Sequence, residues 1–141
     1  MIRPIRSEDM DKVLDIWLQA SIQAHNFIDA AFWREQLGAM RNRYLPAATS
    51  YVFEIDGAVC GFYSLHGDAL AALFVAPGKQ GAGLGSLLLA DAQARRAMLE
   101  LTVYSANHAA RRFYERHGFV VLGEQQDAHT GHSETRMRWP A

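Results

Sequence analysis

Residues 78–85 hold four glycines, Gly78, Gly81, Gly83 and Gly85, between the apolar run LFVAP (73–77) and a leucine-rich segment that starts at Leu84. A strand, a bare loop and a helix start in that order can hold an anion. The first turn of a helix presents unpaired N–H groups and the positive end of its dipole, and absent side chains let an oxygen reach the backbone. One glycine would mean only a tight turn; the cluster points to pyrophosphate or a similar anion. A Walker A loop ends in Gly-Lys-Ser/Thr, whereas Gly78-Lys79 opens this one and Gly85-Ser86 lacks the lysine. The dinucleotide fingerprint needs a glycine where Ser86 stands and belongs to a larger parallel fold. Nucleoside triphosphate hydrolysis and nicotinamide chemistry are both disfavoured.

Other reactive side chains carry less. His129 and His132 form an H-x-x-H pair in a polar segment without a third ligand at a suitable spacing, so solvated histidines and no metal are expected. Cys60, the only cysteine, lies in an apolar run without a His or Asp partner and reads as a buried, inert thiol. One cysteine allows no intrachain disulfide, and the N-terminus MIRPIRSEDMDK lacks an apolar core, so a cytoplasmic protein is expected.

The elements that position these groups follow from composition and patterning. With 141 residues, 50% hydrophobic and 21% charged, the chain is expected to form one soluble domain over 1–141. A formal net charge of -1 removes the pull toward nucleic acid that a basic domain has. No apolar run approaches the roughly 20 residues that cross a bilayer. Residues 2–6 read as extended. Ser7 is expected to cap a helix with Glu8 and Asp9 in its first turn and Met10, Val13, Leu14, Trp17, Leu18 and Ser21 at helical spacing. HNFI (25–28) interrupts it, and Asp29 can cap a second helix through Phe32, Trp33, Gln36 and Met40 toward Pro46. SYVFEIDGAVCGFYSL reads as a hairpin turning at Asp56-Gly57. A third strand over 69–75 leads into the glycine loop and a helix with Leu84, Leu87, Leu88 and Asp91/Ala92 on its periodic positions. MLELTVY (98–104) alternates as a strand, and SANHAARRFYERHGF reads as a helix ended by Gly118. Phe119–Leu122 is a further strand, 125–133 a polar loop, and ETRMRWP a closing strand. The order implies an α/β fold with a mixed, mostly antiparallel sheet, parallel at the βαβ step and flanked by helices on both faces.

QGAGLG (80–85) resembles the Q/R-x-x-G-x-G/A loop of the GNAT acetyltransferase superfamily, with Gln80, Gly83 and Gly85 in the motif positions. LFVAP is similar to the family's central strand. LTVYSANHAARRFYERHGF (101–119) resembles its second motif, N-x-x-A-x-x-F-Y-x-x-x-G-F. Two helices before a hairpin match its N-terminal half, so the likeness covers roughly the whole chain. RMRW and HNFI resemble the small bacterial members, some of which acetylate protein lysines.

The resemblance implies acetyl-CoA as co-substrate, lying in a V-shaped opening between two central strands. Its pyrophosphate would rest on the amides of Gln80, Gly81, Ala82, Gly83, Leu84, Gly85 and Ser86, and its pantetheine arm along the backbone edge of Leu73, Phe74 and Val75 by strand addition. Asn107 matches the asparagine that contacts the arm, with a helix cap as the alternative. Tyr114 matches the tyrosine near the thioester sulfur, with packing beside Phe113 as the alternative. A phenol with a reference pKa near ~10 stays protonated at neutral pH and can donate to the leaving thiolate. Direct transfer in a ternary complex follows, to a primary amine on a protein lysine or N-terminus, or on a small molecule. A lysine amine, with a reference pKa of about 10.4, must first lose a proton. Glu54, His66, Asp68, His25, Glu100 or a water chain can take it. The segment 24–33 and the loop 125–133 are the expected acceptor walls. Arg111, Arg112 and Lys79 lie near the cofactor elements, though a solvated helix face is preferred for them. A homodimer is left open. The alternative function is a CoA-binding sensor or interaction module with the same fold and no turnover.

Overall fold

Asp56 and Gly57 both take positive φ, 51° and 79°, and the turn they form joins β2 (Thr49–Ile55) to β3 (Ala58–His66) as antiparallel neighbours. The dipeptide does what a tight hairpin with right-handed strand twist requires. The structure is a computed structural model and describes residues 1–141.

Upstream, β1 (Ile2–Pro4) pairs with β2, and α1 (Met10–Ala24) follows a 3-10 turn over Ser7–Asp9. Ser7 does not cap this helix, contrary to expectation: its hydroxyl faces Glu8. Asp9 stands at the N-cap position of α1, but its side chain accepts from none of the helix's own amides. Its carboxylate accepts the Arg6 N–H at 2.8 Å and the Arg3 guanidinium at 2.7 and 3.0 Å. The charge-assisted, bidentate pair with Arg3 ties the start of α1 to β1 through Asp9. α1 buries Val13, Leu14, Ile16, Trp17, Ala20 and Ser21. HNFI interrupts the helical run, and Asp29 caps α2 (Ala30–Glu35) by accepting from the Ala31 N–H at 2.9 Å. Helical turns over Leu37–Ala39, Met40–Tyr44 and Leu45–Ala47 then lead to β2.

β4 (Ala69–Val75), α3 (Leu84–Arg95), β5 (Leu99–Tyr104), α4 (His108–Arg116), β6 (Val120–Gln126) and β7 (Ser133–Trp139) complete the chain. The seven-stranded sheet has the order β1-β2-β3-β4-β5-β7-β6, with β4 and β5 as its parallel pair. α1 and α2 pack on one face with Val52, Val59 and Phe62; α3 and α4 cover the other with Tyr63, Leu65, Leu101 and Met137. On α3 the buried stripe is Leu84, Leu88, Leu89 and Ala92, while Leu87 is 51% exposed. Leu87 therefore faces solvent rather than the core: the sheet lies one turn face away from the position that simple spacing assigns it. β6 extends to Gln126, so the closing turn spans only 127–132, held by Asp127, which accepts from the Thr130 hydroxyl at 2.8 Å. No helix is long and apolar enough to cross a membrane.

One irregularity shapes the molecule's centre. Leu65 pairs with Leu70 and Ser64 with Ala72, so Ala71 is an extra residue in β4. A bulge of this kind bends the strand that carries it. β4 meets β5 at Ala69↔Glu100, with the Glu100 N–H 2.9 Å from the Asp68 carbonyl, and beyond that point the strands part. β5 stays paired with β7 from Leu99 to Tyr104. The result is a V-shaped opening with its mouth at Val75 and Tyr104.

Candidate active site

The opening is a cavity of about 600 Å³. Of the residues expected from the sequence, Leu73, Phe74, Val75, Gln80, Gly81, Gly83, Leu84, Gly85, Ser86, Asn107 and Tyr114 line it; Ala82 does not. The glycine loop sits at the tip of the β4 arm. Gly81 and Gly83 take φ of 84° and 82°, a conformation that L side chains rarely adopt, and Gly83 begins α3. A Cβ at either position would meet nothing within 4 Å, so the space over the backbone is open. The first helical bond of α3 runs from the Leu87 N–H to the Gly83 carbonyl at 3.2 Å, which leaves the amides of Leu84, Gly85 and Ser86 without helical partners. Gln80 donates its side-chain amide to the Val75 carbonyl at 3.2 Å and ties the loop to the end of β4. The Ser86 hydroxyl lies 3.1 Å from Nε2 of His117, whose ring packs on Phe113 with centroids 4.7 Å apart.

Tyr114, on α4, packs edge-on against Phe113 and Phe119, and its hydroxyl makes no hydrogen bond within the chain. Burial pushes its pKa well above the usual phenol value, because a phenolate there would lose its hydration. Asn107 caps α4: its Oδ1 accepts the Ala110 N–H at 3.2 Å. Its amide nitrogen lies 3.3 Å from Nε2 of His25. Nδ1 of His25 is 2.9 Å from the Ser21 carbonyl. A carbonyl can only accept, so Nδ1 carries the proton and Nε2 receives the Asn107 amide. His25 stacks on Trp33 at 5.0 Å and meets Phe27 and Tyr104 edge-on. Burial lowers its pKa and keeps the ring neutral. The end of α1 is thereby joined to the start of α4 across the cavity wall.

The structure separates the candidate proton acceptors. His25 lines the cavity, whereas Glu54, His66, Asp68 and Glu100 do not. Glu54 instead pairs with Arg3 at 3.1 Å. Glu134 lines the cavity and is absent from the residues that sequence reasoning singled out. Its signal was the alternation of ETRMRW, which separates Glu134 from Thr135 and Met137 but does not say which face meets a cavity. His132 also departs from expectation: it is half-buried, with its ring 5.3 Å from that of Phe27, while His129 is exposed. The tight turn carries His132 back over the aromatic cluster. Arg111 pairs with Glu115 at 3.3 Å along α4, and neither it, Arg112 nor Lys79 lines the cavity. Cys60 is 3% exposed and lies outside the cavity.

Residues 14–140 match the family model described as an acetyltransferase (GNAT) domain. Over 141 residues, 99% of this chain and 97% of the relative, the sequence is 36% identical to peptidyl-lysine N-acetyltransferase YiaC of Escherichia coli (strain K12). The fold resembles the solution structure of apo-form YjaB from Escherichia coli, with a TM-score of 0.86 at 27% identity over 99% of this chain and 96% of that one. It also resembles PaiA N-acetyltransferase from Thermoplasma acidophilum in complex with coenzyme A, with a TM-score of 0.77 over 98% and 96% of the two chains; at 17% identity this is a likeness of fold alone. Because the matched span takes in the glycine loop, the parted strands and the helix that carries Tyr114, the chain belongs to the GNAT acetyltransferase family.

Proposed function

We propose that this protein, acting as one domain over 1–141, moves acetyl from acetyl-CoA to a primary amine by direct attack in a ternary complex, and that the amine is a protein lysine. One observation supports the reading: a single cavity is lined by Leu84–Ser86, whose amides have no helical partner, by Leu73–Val75 on the unpaired edge of β4, and by Tyr114. The amides and the positive helix end hold the pyrophosphate. The β4 edge receives the pantetheine arm as an added strand. One Asn107 amide hydrogen faces His25, and the other remains for the arm.

In this mechanism the neutral amine attacks the thioester carbonyl carbon, the C–S bond breaks, and the Tyr114 hydroxyl gives its proton to the leaving thiolate. The proton released by the amine nitrogen restores the phenol through solvent. The raised pKa of Tyr114 suits this role, since the phenol keeps its proton until a thiolate forms. Burial of Cys60 away from the cavity supports direct transfer over an acyl-enzyme. The names of the similar peptidyl-lysine N-acetyltransferases support lysine as acceptor.

The test is transfer of isotope-labelled acetyl from acetyl-CoA into a bacterial lysate divided by size. Label in macromolecules is the expected outcome, and label confined to small metabolites would move the acceptor to small amines. No label above background, with coenzyme A still bound, would overturn enzymatic transfer. Tyr114→Phe is expected to lower kcat by about 10²- to 10⁴-fold while leaving coenzyme A affinity unchanged. Equal turnover in that variant would remove the acid role.

A further inference from the structure

Among the side chains lining the cavity, Glu134 is the one carboxylic acid; no lysine, arginine or aspartate joins it. It stands opposite Tyr104 in the β5–β7 ladder, so the two share a face of the sheet. That places it on the β5 arm of the V, across the mouth from the glycine loop on the β4 arm. One carboxylate oxygen, Oε1, accepts the Gln125 amide at 2.8 Å, and Oε2 has no partner in the chain. The ring of Tyr104 meets that of Trp33, which also lines the cavity, edge to face with 6.3 Å between centroids, and the Tyr104 hydroxyl is fixed by Asp127 at 2.7 Å.

The cavity is thus electrically two-ended. The helix start on one arm attracts phosphate, and the carboxylate on the other repels it. A polyanionic cofactor therefore settles on the β4 arm, and the β5 arm is left for a cation. A carboxylate oxygen without a partner, in a cavity that Tyr104 and Trp33 also line, is a setting that stabilises an ammonium through ion pairing and attraction to aromatic rings. We infer that Glu134, with Tyr104 and Trp33, binds the ammonium of the acceptor and so selects primary alkylamines that enter as cations and give one proton to solvent before the neutral amine attacks. This deepens the acetyl-transfer reading and rests on it, by naming the acceptor end of the same cavity.

n-Butylamine, a cation at pH 7 with the reach of a lysine side chain, is titrated into the protein saturated with coenzyme A while the Trp33 and Tyr104 ring signals are followed by NMR. Butylamine is expected to shift both rings, n-butanol to bind at least about tenfold more weakly, and Glu134→Gln to weaken butylamine by a similar factor. Glu134→Asp, which keeps the charge, is expected to retain part of the affinity and serves if the glutamine variant folds poorly. Gln125→Ala, which leaves the charge in place, is expected to bind butylamine well. Equal affinity of Glu134→Gln and wild type, equal affinity for butanol, or unshifted rings would each overturn the assignment. The titration needs no turnover, so a failure of labelled transfer in the wild type is read separately from a failure of this site. In steady state, a lysine peptide with blocked ends should show a KM about tenfold higher in Glu134→Gln, with the KM for acetyl-CoA unchanged.

Discussion

Asp9 lies under the first turn of the chain with Arg3 on one side and the Arg6 amide on another, and the Arg3 guanidinium holds its carboxyl below the usual carboxylate range. A depressed folded-state pKa adds stability that is present above the unfolded value near ~3.9 and is lost as pH falls through the folded one. Asp9→Asn should therefore unfold at lower urea than wild type at pH 7, and the two midpoints should converge as the pH is taken down toward 2. Parallel curves across that range would remove Asp9 from the acid response. This role was not legible in the sequence, where Asp9 read as a charge favouring a helix dipole. Its partner comes from a strand, and strand pairing decides it. Glu134 escaped for the same reason. Residues whose job is set by the backbone left clearer traces: the glycines at 81 and 83 are required by positive φ, and Asp29 by the Ala31 amide it accepts. Asp29→Ala should cost about 1 kcal/mol of stability, measured by urea denaturation, and no loss would mean that the cap is replaced by water.

Among the elements, β4 carries the consequence of its own irregularity. The apolar run 69–75 was legible as a strand, and the loop and helix behind it as an anion site. The extra residue at Ala71, which turns β4 away from β5, was not, because a bulge depends on which residues face each other across two strands. Gly61 on β3 supports the arrangement from the other edge. A Cβ there would sit 2.9 Å from the Phe74 carbonyl oxygen, which is backbone and cannot swing aside. Gly61→Ala should push β4 outward at Phe74, where the pantetheine arm is proposed to pair. The expected outcome is a loss of about 1–3 kcal/mol in urea denaturation together with weaker coenzyme A binding. A stability loss with unchanged coenzyme A affinity would show that the edge of β4 is not the binding edge.

At the scale of the whole molecule, the sheet is two blocks that meet where β4 and β5 share one pair of residues. β1 to β4 form one antiparallel block and β5, β7 and β6 the other, with the cavity between them. The order of helices and strands was legible from periodicity, including the parallel step around α3. The gap was not, since periodicity records which face of an element is buried and says nothing of an edge left unpaired. Such an edge has backbone groups that only water or a ligand can satisfy. A ligand that lies along it acts on the whole fold, since it binds the native state alone. Coenzyme A at about 100 times its Kd should raise the free energy of unfolding by about 2.7 kcal/mol. If the proposed placement is right, amide exchange should slow most at Leu73–Val75 and Leu84–Ser86, on the facing arm and in the loop, while the far strands β1 and β6 change only through the global term. Protection spread evenly over all strands would mean that coenzyme A stabilises the protein without pairing to β4. Protection confined to β6 and β7 would place the cofactor on the other block and overturn the reading of the cavity as two-ended.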